Sequence, residues 1–241
     1  MGFNLPLVIG HRGARAVKTE NTLEAFEYAC RSGVKWVELD AMLSGDKEVM
    51  VFHDETLDRM CGRDLGRLDA YTAKELKSFE LQGGTRIPFL AEVLDLLNSY
   101  GTNVNIEIKP SRPALARETA NKVWKVVCEH GFNDSERLLF SSFEWSALEE
   151  TFALAPQIRR GVLVEDVSPD WRPAAKKTQA YSINYDADLL TPELSREILD
   201  DGYALLAYTV NDAQKVKELQ SWGVSSFFCD SPAEMALQLS A

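Results

Sequence analysis

Strand-like and helix-like segments alternate along almost the whole chain, and this rhythm limits the possible folds more than any other feature. The apolar run Leu5–Gly10 reads as a strand. Within 21–32, Leu23, Phe26, Ala29 and Cys30 recur at helical spacing, and Gly33 follows as a C-terminal cap. Residues 35–43 and 48–52 read as two strands joined through Ser44-Gly45-Asp46, a tight hairpin. Beyond Pro88 the spacing predicts helices over 90–99, 113–130, 145–153, 192–200, 212–222 and 232–239. The strands between them fall at 103–109, 137–141, 158–164, 181–184, 204–209 and 225–229, with an irregular stretch before residue 181. Without the hairpin's return strand this makes eight strands in 241 residues. Such alternation implies parallel strands covered by helices. Eight of them at this length predict an α/β chain closed as a (β/α)8 TIM-type barrel. No Gly-x-Gly-x-x-Gly follows the first strand, which weighs against an open dinucleotide-binding sheet. Residues 54–87 depart from the rhythm: they are polar, contain Gly and Arg, and hold one short helix from Thr72, where Thr-x-x-Glu forms a capping box. They read as a small insertion in a single barrel domain spanning 1–241.

In a barrel the reactive side chains collect at the C-terminal strand ends, so each end can be inspected in turn. The first strand delivers His11 and Arg12. The second reads Trp-Val-Glu-Leu-Asp over 36–40, which places Glu38 and Asp40 on one face and Val37 and Leu39 on the other. Over 105–109 the same pattern sets Asn105, Glu107 and Lys109 against Ile106 and Ile108. A hairpin turn centred near Gly45-Asp46 pairs Asp40 with Val51 and Glu38 with His53, bringing His53 onto the carboxylate face. The converged set is two histidines, three carboxylates, an arginine and a lysine. Three adjacent carboxylates repel one another and take up protons unless a cation lies among them. Oxygen ligands of this kind suit Mg²⁺ or Ca²⁺, with Mn²⁺ a further candidate, better than Zn²⁺. Two imidazoles supply a general acid and a general base. Arg12 offers a planar fork and Lys109 a point charge for phosphate oxygens. The inventory describes a site for a phosphate ester, with Phe143 and Tyr208 as candidate pocket walls.

Other conspicuous residues read as structural. His130 ends a helix before Gly131, where a cation favours the helix dipole. Gly83-Gly84 reads as a turn before Pro88, and Trp171 as a core residue. The net charge of −11 argues against a nucleic-acid or anionic-membrane partner. No apolar run approaches the ~20 residues of a membrane span. The N-terminus lacks the basic and apolar regions of a secretion signal. Cys30, Cys61, Cys128 and Cys229 stand far apart, as reduced thiols of a cytoplasmic protein would.

The chain resembles the glycerophosphodiester phosphodiesterases over nearly its whole length. The resemblance rests on HRG at 11–13, ENT at 20–22, ELD at 38–40, VFHDETLDR at 51–59 and YTAKEL at 71–76. It continues through IPFLAEVLDLL at 87–97, NIEIKP at 105–110, SSF at 141–143 and YTVND at 208–212. It implies a barrel with a small insertion, Glu38, Asp40 and Glu107 as ligands of one divalent ion (Mg²⁺ or Ca²⁺), and His11 and His53 as the acid/base pair. Arg12 and Lys109 would hold the phosphate. The implied substrates are deacylated phospholipids such as glycerophosphocholine and glycerophosphoethanolamine, cleaved to glycerol 3-phosphate and an alcohol. Two positions depart from the family pattern: Thr19 replaces the usual proline before ENT, and SSFFCDSP at 225–232 replaces the usual last-strand motif. Two other readings of the same residues are a Schiff-base aldolase with Lys109 as nucleophile and a non-catalytic, metal-dependent binding barrel.

Overall fold

The computed structural model describes residues 5–166 and 170–240. The strands are β1 (Val8–Gly10), β2 (Trp36–Leu43), β3 (Val49–Val51), β4 (Asn103–Ile108), β5 (Leu138–Ser142), β6 (Arg159–Val164), β7 (Ser182–Asp186), β8 (Ala204–Tyr208) and β9 (Ser226–Cys229). The order β1-β9-β8-β7-β6-β5-β4-β2 is parallel throughout and closes where Gly10 of β1 pairs with Val37 of β2. Helices α1 (Leu23–Arg31), α4 (Leu90–Tyr100), α5 (Ala116–Glu129), α6 (Trp145–Leu154), α7 (Arg172–Thr178), α8 (Pro192–Asp200), α9 (Ala213–Ser221) and α10 (Pro232–Ser240) alternate with these strands. The predicted (β/α)8 barrel is present. One further helix, α7, occupies the stretch expected to be irregular. Pro173 lies in its first turn, where a missing N–H is harmless, and Ala174, Ala175 and Thr178 bury its inner face.

The apolar positions of β2 and β4 face the helices. Val37, Leu39, Ala41, Val104, Ile106 and Ile108 share one cluster with residues of α1, α4 and α5. A second cluster, Ile9, Trp36, Leu139, Leu206 and Phe228, contains residues of five barrel strands. The third cluster joins Met42, Met50 and Phe52 of the hairpin to Leu57, Met60, Leu68, Leu76 and Ile87 of the following segment. That segment carries two short helices, α2 (Asp58–Cys61) and α3 (Ala73–Ser78), the latter starting at the expected Thr72–Glu75 capping box. Gly83 and Gly84, both at positive φ, form a turn there.

The hairpin register differs by one residue from the sequence expectation. Ala41, not Asp40, lies opposite Val51, and the Phe52 amide donates to the Asp40 carbonyl. The reason is a third loop residue. Ser44 and Glu48 close the turn around Gly45, Asp46 and Lys47, with Lys47 at φ +68°. Three-residue hairpin loops end in such a left-handed residue. Here the Ser44 hydroxyl also donates to the Asp46 carboxylate over 2.6 Å. His53 therefore does not sit in the ladder opposite Glu38. It reaches the barrel mouth because β3 ends at Val51 and the chain leaves the sheet.

Candidate active site

Parallel pairing of β2 with β4 sets Glu38 beside Asn105 and Asp40 beside Glu107. The carboxylates of Glu38, Asp40 and Glu107 offer oxygens within 4.8 Å of one another. All three residues are buried. Burial, then Asp40 and Glu107, push the Glu38 carboxyl well above its ordinary range against the pull of Arg12. Burial and Asp40 likewise push Glu107 up to about 7, with Lys109 and Arg12 opposing. Burial acts on Asp40 in the same sense, but Lys109, Arg12, His53 and the Asn21 amide outweigh it, and Asp40 stays below the usual value. The triad thus behaves as crowded carboxylates should: two of three favour the proton and one keeps its charge.

Each histidine is held at Nδ1 by an aspartate. His11 Nδ1 lies 2.6 Å from Asp230 Oδ1, and its Nε2 lies 4.0 Å from Glu38 Oε2. His53 Nδ1 lies 2.7 Å from Asp54 Oδ1. Nδ1 fixed in this way orients each ring and leaves Nε2 as the nitrogen not held by an aspartate. Burial lowers the His11 pKa, although the hydrogen bond to Asp230 pulls the other way. Asn211 donates to the second oxygen of Asp230 over 2.9 Å and also receives the Asp230 amide.

Arg12 is woven into the site more tightly than a free phosphate fork. Its amide donates to Glu38 over 2.9 Å, its Nη1 to Glu20 over 2.7 Å, and its Nε lies 3.4 Å from Asp40 Oδ2. Arg12 and Asn21 both take left-handed backbone conformations, φ +50° and +56°. Gly13 of the same turn has φ +85°, and a Cβ there would come within 2.8 Å of the Ala25 backbone, so only glycine fits. Asn21 donates to Asp40 Oδ2 over 2.7 Å. Lys109 Nζ stands 3.7 Å from Asp40 and 3.8 Å from Glu107, an ion-paired ammonium.

One cavity of about 530 Å³ has His11, Arg12, Glu38, His53, Glu107, Lys109, Phe143 and Tyr208 in its wall. Phe143 and Tyr208 meet edge to face at 6.0 Å. Every residue singled out from the sequence for this site, except Asp40 beneath it, lines the cavity. His130 does not: it pairs with Asp95 and its amide caps α5, as expected. Trp171 is buried against Tyr203, also as expected. Sequence reasoning missed Glu20, Asp54, Arg59 and Asp230. Three of them stand inside the quoted ENT and VFHDETLDR motifs, and Asp230 in the departing last-strand segment. Only Asp54, next to His53, carried a local signal; the others gain their partners through contacts distant in sequence. The Thr19 departure acquires a role as well, since its hydroxyl donates to the Gln82 carbonyl over 2.8 Å.

The chain has clear relatives. The Glycerophosphoryl diester phosphodiesterase family matches residues 11–234. A Glycerophosphodiester phosphodiesterase of Caldanaerobacter subterraneus subsp. tengcongensis is 32% identical over 234 residues, 94% of either chain. One of Bacillus altitudinis is 32% identical over 238 residues, covering 93% of this chain and 94% of the relative. The structure of an Oleispira antarctica phosphodiesterase in complex with the product sn-glycerol-3-phosphate superposes with a TM-score of 0.92, at 32% identity and 98% coverage of both chains. The fold and these likenesses define a TIM-barrel phosphoric diester hydrolase. More narrowly, the chain belongs to the glycerophosphoryl diester phosphodiesterase family.

Proposed function

We propose that the chain hydrolyses glycerophosphodiesters, glycerophosphocholine and glycerophosphoethanolamine among them, to glycerol 3-phosphate and the free alcohol, as a cytoplasmic enzyme. The observation that carries this reading is the placement of two aspartate-held imidazoles and a buried carboxylate triad in one cavity. The triad fits a hard divalent ion: three carboxylates offer oxygens within 4.8 Å, and the buried Glu107 Oε1 has no hydrogen-bond partner. Glu38, Asp40 and Glu107 would hold Mg²⁺ or Ca²⁺. When bound, such an ion neutralises phosphate charge and polarises oxygens attached to phosphorus.

The side chains account for the rest. Lys109 and Arg12 attract and orient the phosphate. One imidazole takes the proton of the glycerol 2-hydroxyl as its oxygen bonds to phosphorus. The other gives a proton to the alcohol oxygen as the P–O bond to it breaks. Attack by a hydroxyl of the same molecule is favoured because it is intramolecular. The resulting cyclic phosphate is opened by water, with the histidines exchanging roles. Phe143 and Tyr208 give the cavity an apolar side for carbon. The ion pairs of Lys109 with two carboxylates favour its use as a cation over its use as an amine nucleophile, and the aldolase reading loses its support.

The test is release of glycerol 3-phosphate from a panel of glycerophosphodiesters, with and without EDTA. Turnover that chelation abolishes and Mg²⁺, Mn²⁺ or Ca²⁺ restores is expected. Full activity after verified metal removal would overturn the ion's role, and no turnover on any member would leave a binding barrel.

A further inference from the structure

Arg59 lies outside the barrel, on α2, yet like Lys109 it pairs with two carboxylates, and it does so over shorter distances. Its Nε and Nη2 donate to the two oxygens of Asp54 over 2.6 and 2.9 Å. Nη2 also donates to Glu20 Oε1 over 2.6 Å, and Nη1 to Glu20 Oε2 over 3.2 Å. Asp54 in turn holds His53. This support matters because His53 and Asp54 follow the end of β3 and belong to no strand or helix. The last ladder bond before them is that of the Phe52 amide. No regular structure fixes the two side chains, so their orientation depends on side-chain partners. Glu20, only 7% exposed, is the other end of the clasp. It also receives Arg12 at 2.7 Å and Arg15 at 3.0 Å. A second strap runs alongside: the Gln82 amide donates to the Arg59 carbonyl over 2.7 Å, while Thr19 donates to the Gln82 carbonyl.

We propose that Arg59 is a positioning residue for His53, fixing Asp54 against Glu20 so that the insertion, through this one guanidinium, sets the orientation of one of the two acid/base groups. The proposal rests on the acid/base role given to His53 above. A planar fork with separated N–H groups can bridge two carboxylates at once; an ammonium cannot do so with the same geometry. Groups that orient a catalytic or metal-bound histidine act through its ring, and their loss typically costs on the order of 10–100-fold. Glu20 keeps Arg12 and Arg15 when Arg59 is removed, so the buried carboxylate is not left without a cation.

A double-mutant cycle separates positioning from mere scaffolding. On glycerophosphocholine, Arg59→Gln is expected to lower kcat about 10–100-fold, with KM changed by less than about threefold. In a His53→Ala background the same change should cost almost nothing further. Arg59→Lys should fall between wild type and Arg59→Gln, and it can run the same cycle if Arg59→Gln does not fold. A second readout needs no turnover: the low-field proton of His53 Nδ1, assigned by its loss in His53→Ala, should disappear or broaden in Arg59→Gln. Persistence of that resonance, or losses that multiply across the cycle, would overturn the proposal. A wild-type chain that releases no glycerol 3-phosphate would instead remove the proposed function, while the resonance still reports on Arg59.

Discussion

The two histidines share a local arrangement and differ in what surrounds it. Both present Nδ1 to an aspartate, at 2.6 and 2.7 Å. His11 follows directly on β1, and its partner Asp230 follows directly on β9, the adjacent strand. Its amide donates to the Cys229 carbonyl, and its side chain is only 11% exposed. The closed sheet itself holds that pair. His53 is 29% exposed at the side chain, and its aspartate is its own sequence neighbour. Its arrangement is completed by a guanidinium from the insertion and a glutamate from the β1–α1 connection. A similar hydrogen bond is thus secured once by barrel closure and once by a clasp of surface elements. A rigid barrel thus anchors one half of the proposed acid/base pair, while a modest excursion anchors the other.

The largest effect should come from the imidazoles. General acid and base groups are each worth ~10²–10⁴ in rate, so His11→Ala and His53→Ala should each reduce kcat by that order while circular dichroism remains native. If only one of them does so, the pair is not a pair. A smaller but still large loss, on the order of 10–100-fold, is expected for Asp230→Asn and Asp54→Asn. Rescue of ring orientation by the rigid barrel should make Asp230→Asn the milder of the two, and a reversed order in kcat would contradict the contrast drawn between them.

Acid should weaken the clasp. Burial raises Glu20, but its bonds from Arg59 and Arg12 outweigh this, and its carboxyl lies below the ordinary glutamate range in the fold. A carboxylate depressed in the fold stabilises it above the unfolded value and loses that contribution as pH falls through the folded one. Thermal unfolding should therefore show Glu20→Gln destabilised near pH 7, with the gap to wild type narrowing below about pH 4.5. A gap that is constant with pH would mean that the charge of Glu20 plays no part. The smallest effect belongs to the third histidine. His130→Ala should leave kcat unchanged within about twofold, since it lies on a helix end away from the cavity, and surface changes of this kind are usually within ±0.5 kcal/mol in stability. A large loss there would shift attention to a site not described above.

The periodicity of the chain determined the barrel, because eight apolar strands interleaved with amphipathic helices have few other ways to bury both faces of a sheet. The same alternation put Glu38, Asp40 and Glu107 on the barrel face, since side chains on a strand reverse direction at every residue. Local chemistry also determined the Thr72 capping box and the glycine turn at 83–84. The hairpin register escaped because it hangs on one loop residue, Lys47, entering a left-handed conformation that no side-chain pattern announces. Helix α7 escaped because it is short and carries a proline in its first turn. What only the tertiary structure decided is which charges meet. Glu20, Asp54, Arg59 and Asp230 stand up to 210 positions apart, and an ion pair leaves no periodic trace in a sequence. Their partnerships arise when the barrel closes and the insertion folds back over its mouth, because a buried carboxylate must find a cation or give up its charge, and folding determines which cation lies within reach.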